Sequence, residues 1–168
     1  MHTKIISAFL TVACLLVLVS MLTGCSKTNM DIPKPVDFNK LTIGHTKPNF
    51  YLMCPKSICS IDSDISPTFE TDANTLYQAV ANVVKNKARV KITSQDDKKY
   101  QLAYIQTSRF FNFPDYIDIQ VFPVNNNQST LAIFSRSRYG YYDFGVNKKR
   151  VADIIKELSS ITSNIITS

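Results

Sequence analysis

Asn147, Lys148, Lys149 and Arg150 stand in a row, and Arg136 and Arg138 precede them on one face of what reads as a strand. Clustered cations beside a helix start are the residue types that hold a negatively charged group. Val151, Ile154, Ile155 and Leu158 recur at i, i+3, i+4 and i+7, the spacing of one buried helical face. Asn147 can lend its side-chain oxygen to the free amides of that helix, so it is expected as the N-cap. Lys148, Lys149 and Arg150 then fall in the first turn, where the positive end of the helix dipole disfavours each by a few tenths to about 1 kcal/mol. One reading is a solvated basic turn, the usual fate of a charge run. The other is an anion site, because free amides and added cations there both favour negative charge. The binding residues expected on the second reading are Arg136, Arg138, Asn147, Lys148, Lys149 and Arg150.

Other chemistry is sparse. A Ser-His-Asp or Cys-His arrangement would need His45, which lies in or beside a polar linker. No His-rich metal motif, phosphate-cradling glycine loop or dinucleotide fingerprint is present, so no metal, cofactor or catalytic residue is assigned. Asp115, Asp118 and Asp143 could converge near Arg136 as paired carboxylates, which keeps a carboxylate-dependent enzyme open behind a non-enzymatic binding module or a purely structural component. Asp115 or Asp118 could equally pair with Arg109 or Arg136. Cys54 and Cys59 read as a disulfide, since an even pair in an oxidising compartment is most simply bonded. A redox motif would need the tighter Cys-x-x-Cys spacing.

The N-terminus carries an address. Lys4 precedes an almost wholly apolar run from Ile5 to Leu22, which ends in Leu22-Thr23-Gly24-Cys25. That pattern resembles the bacterial lipobox, in which the thiol just after the cut is alkylated with diacylglycerol and the new amine is then acylated. Residues 1–24 are therefore expected as a lipoprotein signal peptide and Cys25 as the lipidated residue. Two or more chains anchor stably at about 0.8 kcal/mol per buried methylene. An unlipidated secretory leader or a plain membrane anchor are the alternatives. In the Gram-negative sorting pattern that this resembles, Asp after the cysteine retains the protein in the inner membrane. Ser26 instead points to an outer membrane facing the periplasm. Residues 25–46, polar and carrying Pro33 and Pro35, are expected as a flexible tether.

The 168 residues suit one modest domain, expected over 47–165. Without Lys4 the balance is 18 basic to 13 acidic residues, mild for a nucleic-acid binder and ordinary beside an anionic membrane. The expected partners are the membrane, through the lipid anchor, and an anionic ligand or envelope protein, with no nucleic acid.

The positioning elements follow from periodicity. Thr71 or Asp72 caps a helix whose stripe is Leu76, Val80, Val83 and Val84. Four runs then alternate with period two, through Val90 and Ile92, Leu102 and Tyr104, Ile117 to Val121, and Leu131 and Ile133. Polar turns at Asp96–Lys99 and Asn125–Gln128 make them antiparallel. The expected fold is α+β, a two-layer sandwich of order α-β-β-β-β-α with both helices on one face of a four-stranded antiparallel sheet. The other face would show Arg136, Arg138, Asp118 and Gln120 with Phe122 and Phe134, unless the Cys54 segment covers it. Phe110, Phe111 and Phe113 are expected to plug the sheet end, with a lipid-facing tip as the alternative.

Thr107–Asp115, Asp118–Phe122 and above all Ser135–Arg150 resemble the domain of unknown function 1499 family. The resemblance runs from the Cys54 region to the C-terminal helix. It implies a bacterial or plastid protein, commonly membrane-associated or secreted, with no established activity. The family's usual Cys-Pro…Cys segment carries a further residue and a Pro-Asn that are absent here.

Overall fold

The computed structural model describes residues 31–43 and 47–166. The expected signal peptide, Cys25 and His45 lie outside the described residues, as do parts of the expected tether. Among the described residues no helix is long and apolar enough to cross a membrane.

The elements are β1 (Phe50–Met53), β2 (Thr68–Phe69), α1 (Ala73–Lys85), β3 (Val90–Asp96), β4 (Gln101–Thr107), β5 (Pro114–Pro123), β6 (Ser129–Ser137) and α2 (Val146–Ile166). The α+β class and the two helices on one sheet face are as expected. The sheet, however, has six strands in the order β1-β6-β5-β4-β3, with β2 also paired to β6, and every ladder is antiparallel. The expected four-stranded α-β-β-β-β-α order missed β1 and β2. β1 lies between Pro48 and Cys54-Pro55 and shows no apolar alternation, and β2 is two residues long. Both pair with β6 through partners far away in sequence, so neither carries a local signal.

Asp72 caps α1 by accepting from the amides of Asn74 and Thr75. Its carboxyl is held below the usual range, first by the Thr75 hydroxyl and then by those amides. Leu76, Val80, Val83 and Val84 of α1 meet Val151, Ile154 and Leu158 of α2 over Leu102, Ile117, Ile119, Leu131 and Ile133 of the central strands. This is the main core, on the helix side of the sheet.

The opposite face is not open. Phe38, Leu52, Cys54, Cys59, Ala132 and Phe134 form a second buried cluster there. Cys54 and Cys59 are disulfide-bonded, closing a short loop over that face. Phe38, 1% exposed, follows a stretch that is pinned by backbone. The Val36 amide donates to Asp118 Oδ1 at 3.1 Å, and the Val36 carbonyl accepts from Gln101 Nε2 at 2.6 Å. Residues 34–43 thus pack on the sheet, inside a compact unit that runs from Lys34. A buried Asp and a Gln on the sheet replace water for that backbone, and the phenylalanine ring supplies apolar burial.

Candidate functional site

On the helix side of the sheet, three neighbouring strands change from apolar to polar towards the same end, β6 one step before the other two. β4 runs Leu102, Tyr104, Gln106; β5, read backwards, runs Ile119, Ile117, Asp115; β6 runs Ile133, Ser135, Ser137. The register sets Gln106 opposite Asp115 and Asp115 opposite Ser137, so the polar ends form one shelf.

The first turns of α2 cover this shelf, and Arg150 reaches into it. Its Nη2 donates to Asp115 Oδ2, its Nε to Gln106 Oε1 at 2.8 Å, and its Nη1 to Ser135 Oγ at 2.8 Å and Asn147 Oδ1 at 2.6 Å. The side chains of Arg150 and Asp115 are each 10% exposed. A buried ion pair holds only when the remaining donors and acceptors are also met, and these are. Below the shelf, the Tyr104 hydroxyl has no partner among the described residues. Burial pushes its phenol well up, opposed by the nearby charge of Arg150.

Asn147 is not the N-cap. It is the second residue of α2, fully buried, and its Nδ2 donates to the Asn49 carbonyl at 3.0 Å and to Ser137 Oγ at 3.2 Å. Asp143 supplies the cap: its Oδ2 accepts from the Asn147 amide at 2.8 Å and its Oδ1 from the Gly145 amide at 3.2 Å. A carboxylate there favours the helix dipole more than a neutral amide does. The turn uses positive φ at Phe144 (51°) and Gly145 (80°), and at Gly145 an added Cβ would be strained.

The expected binding residues do not gather in one place. Successive helical side chains point about 100° apart, so Lys148, Lys149 and Arg150 diverge. Lys148 lies 5.5 Å from the Tyr51 ring and 3.8 Å from Asp64, while Lys149 pairs with Asp153 at 2.8 Å. The Tyr51 phenol is pushed up to about 12, first by burial and then by its hydrogen bond to Asp64 and that carboxylate's charge. Arg136 is on the other face of the sheet, paired with Asp118 at 2.7 Å and stacked 4.8 Å from the Phe134 ring. Arg138 stacks 5.3 Å from Tyr139. Period two explains this separation: Ser135 and Ser137 face α2, so Arg136 and Arg138 cannot. The three carboxylates do not converge either, since Asp115 and Asp118 lie on opposite faces and Asp143 closes the helix. Of the expected ion pairs, Asp118 with Arg136 is present, but Asp115 takes Arg150. Among the described residues no group of three or more His, Cys, Asp or Glu could hold a metal ion.

A different grouping replaces the expected one. Beside the shelf lies a cleft of about 370 Å³, walled by the α1–β3 connection, the end of β4 and the start of α2. Five cations line it, Lys87, Arg89, Arg109, Lys149 and Arg150, against two carboxylates, Asp115 and Asp153. Lys87, Lys149 and Arg150 are engaged with Glu157, Asp153 and Asp115. Arg89 and Arg109 are exposed and have no carboxylate partner among the described residues. Arg89 sits at φ 59° with its Nε donating to the Thr107 carbonyl at 2.9 Å, which leaves its terminal nitrogens to the cleft. Arg89 and Arg109 carry no sequence signal for this role, because nothing local joins a helix–strand connection to a helix start far along the chain.

A family model described as a protein of unknown function (DUF1499) matches residues 29–158. Among solved structures, the di-domain ARO/CYC BexL from the BE-7585A biosynthetic pathway is similar with a TM-score of 0.43 and 14% identity, over 60% of this chain and 44% of that one. The chain thus spans less than half of that protein's length. Zhui aromatase/cyclase from Streptomyces sp. R1128 gives a TM-score of 0.40 and 14% identity, over 56% of this chain and 89% of that one. Ara h 8.0201 gives 0.45 and 9%, over 59% and 94%. No curated protein matches the sequence.

Proposed function

This chain belongs to the DUF1499 family of proteins of unknown function, and from that premise we propose that it is a lipid-anchored cell-envelope protein whose domain binds an anionic ligand without transforming it. The cleft carries this reading: two exposed guanidiniums, Arg89 and Arg109, face the same recess as Lys149, and Arg150 forms its floor. Arginine presents donors in a fork that fits carboxylate and phosphate oxygens. The outer cations do the binding. Arg150 is spoken for by Asp115 and forms the floor between the outer cations.

Titration of the protein with inorganic pyrophosphate by calorimetry tests this. Binding is expected for the unchanged protein, and Arg89→Gln and Arg109→Gln should each weaken it about 10- to 100-fold, the worth of one hydrogen bond to a charged group. Arg109→Gln changes an exposed side chain and should leave stability within about 0.5 kcal/mol, while Arg89→Gln also loses the bond to the Thr107 carbonyl and should cost about 1 kcal/mol. Equal affinity in the double variant would remove the cleft as the site, and no affinity in the unchanged protein would leave the structural reading, which the buried Arg150 network favours.

The anchor rests on Lys4, the apolar run and Leu22-Thr23-Gly24-Cys25, with Ser26 directing the product to the outer membrane and the domain to the periplasm. Radiolabelled palmitate should enter the wild-type chain and not Cys25→Ala. Label in both, or in neither, would refute lipidation at that sulfur.

A further inference from the structure

Eleven large apolar side chains are exposed among the described residues, and seven of them are aromatics on two loops at one end of the sheet. The β4–β5 loop exposes Phe110 (82%), Phe111 and Phe113; the β6–α2 loop exposes Tyr139, Tyr141, Tyr142 and Phe144 (96%). The three phenylalanines therefore do not plug the core. The loops form one surface: Phe113 meets Tyr139 edge-on at 5.8 Å, Phe111 stacks on Phe113 at 5.5 Å, and the Arg138 amide donates to the Pro114 carbonyl at 3.2 Å.

We propose that this tip docks into the headgroup layer of an anionic phospholipid bilayer, with the aromatic rings in the interface and the arginines on lipid phosphates. For the identity of the anion, this rests on the anion-binding reading of the cleft. The charge pattern singles out that occupant. Arg109 stacks 5.6 Å from Phe110 and Arg138 stacks 5.3 Å from Tyr139, so each loop sets a guanidinium beside an exposed ring. The one carboxylate on these loops, Asp143, is occupied by the amides of Gly145 and Asn147. A surface of tyrosine, phenylalanine and arginine with no available acid complements a negatively charged plane whose depth changes from polar to apolar. The cleft adjoins this surface, since Ser108 and Arg109 line it and belong to the same loop.

Backbone conformation adds an independent observation. Phe144 has φ 51°, a left-handed conformation that a bulky residue rarely adopts, and its ring is almost wholly in solvent. The turn thus bears strain while burying nothing of that ring, a combination expected where a side chain is held out for contact. A lipid anchor would keep the tip beside a bilayer at high effective concentration, so weak docking suffices.

The chain contains no tryptophan, so a single introduced indole reports its own surroundings. The full chain carrying Phe111→Trp, or Phe144→Trp as a second probe, would be reconstituted into phosphatidylglycerol–phosphatidylcholine vesicles. Asn126→Trp, in the β5–β6 turn at the other end of the sheet, serves as the control on the same anchor. The tip probes should shift to the blue, be quenched by brominated acyl chains and be shielded from acrylamide, while Asn126→Trp stays open to water. Arg109→Gln with Arg138→Gln should lower the docked-to-free ratio about 25-fold, at about fivefold per arginine near an anionic surface. Tip probes as water-accessible as Asn126→Trp would overturn the proposal. So would shielding that persists without vesicles, which means a second copy of the chain, or shielding found only in native membranes, which means a protein partner. Pyrophosphate binding that survives while docking is absent would sink the tip and leave the cleft standing.

Discussion

Arg150→Met will destabilise the domain by about 3–5 kcal/mol, measured by denaturant unfolding, because it leaves a buried charge without its partner. Asp115 is 10% exposed and its Oδ2 takes the Arg150 fork, and no other cation is paired with it among the described residues. The same change removes a donor from Gln106, Ser135 and Asn147, three groups buried or half-buried under α2. Asn147 Oδ1 still accepts from the Ser135 hydroxyl at 2.7 Å, so the acceptors left short are Gln106 Oε1 and Ser135 Oγ, and each adds to the loss. A double variant, Arg150→Met with Asp115→Leu, should recover most of it, since replacing both partners with apolar groups of similar volume removes the stranded charge. A single-variant loss under about 1 kcal/mol would mean that water reaches Asp115 and that the pair behaves as an exposed one. The contrast with Arg89 and Arg109 is the useful part. All three line one cleft, yet only Arg150 should carry stability.

Phe38→Ala should cost about 3–5 kcal/mol, the usual range for truncating a buried phenylalanine. The prediction concerns a segment that looks like linker: it is polar, carries two prolines, and lies outside the region where periodicity begins. Phe38 nevertheless packs with Leu52, Ala132 and Phe134 and the Cys54–Cys59 disulfide, on the side of the sheet away from the helices. Removing the ring opens a cavity against β1 and the disulfide loop. Denaturant unfolding reads the effect directly. A loss under about 1 kcal/mol would show that residues 34–43 rest on the sheet without contributing to its stability.

These two residues illustrate opposite kinds of legibility. Arg150 is conspicuous among the cations, yet a charge run in the first turn gives no indication of which member points inward. Extending the period-two alternation one residue further along each strand would have found its partners: Gln106 after Leu102 and Tyr104, Asp115 before Ile117, Ser135 after Ile133. Phe38 offered no such handle. One aromatic in a proline-bearing stretch does not reveal that a carboxylate far along the chain, Asp118, holds the backbone beside it. Asn147 is as good a capping type as Asp143, and only the turn through Phe144 and Gly145 distinguishes them.

Helical and strand periods are properties of near neighbours in the chain, so both helices, the four strands β3 to β6, their antiparallel turns and the pairing of Cys54 with Cys59 could be read directly from residue order. The cleft between Arg89, Arg109 and Lys149, the Asp115–Arg150 floor and the aromatic end formed by two loops could not. Each joins residues tens of positions apart, and their meeting depends on strand register and on where α2 crosses the sheet. Those are set by how the whole core packs, and no local pattern encodes them.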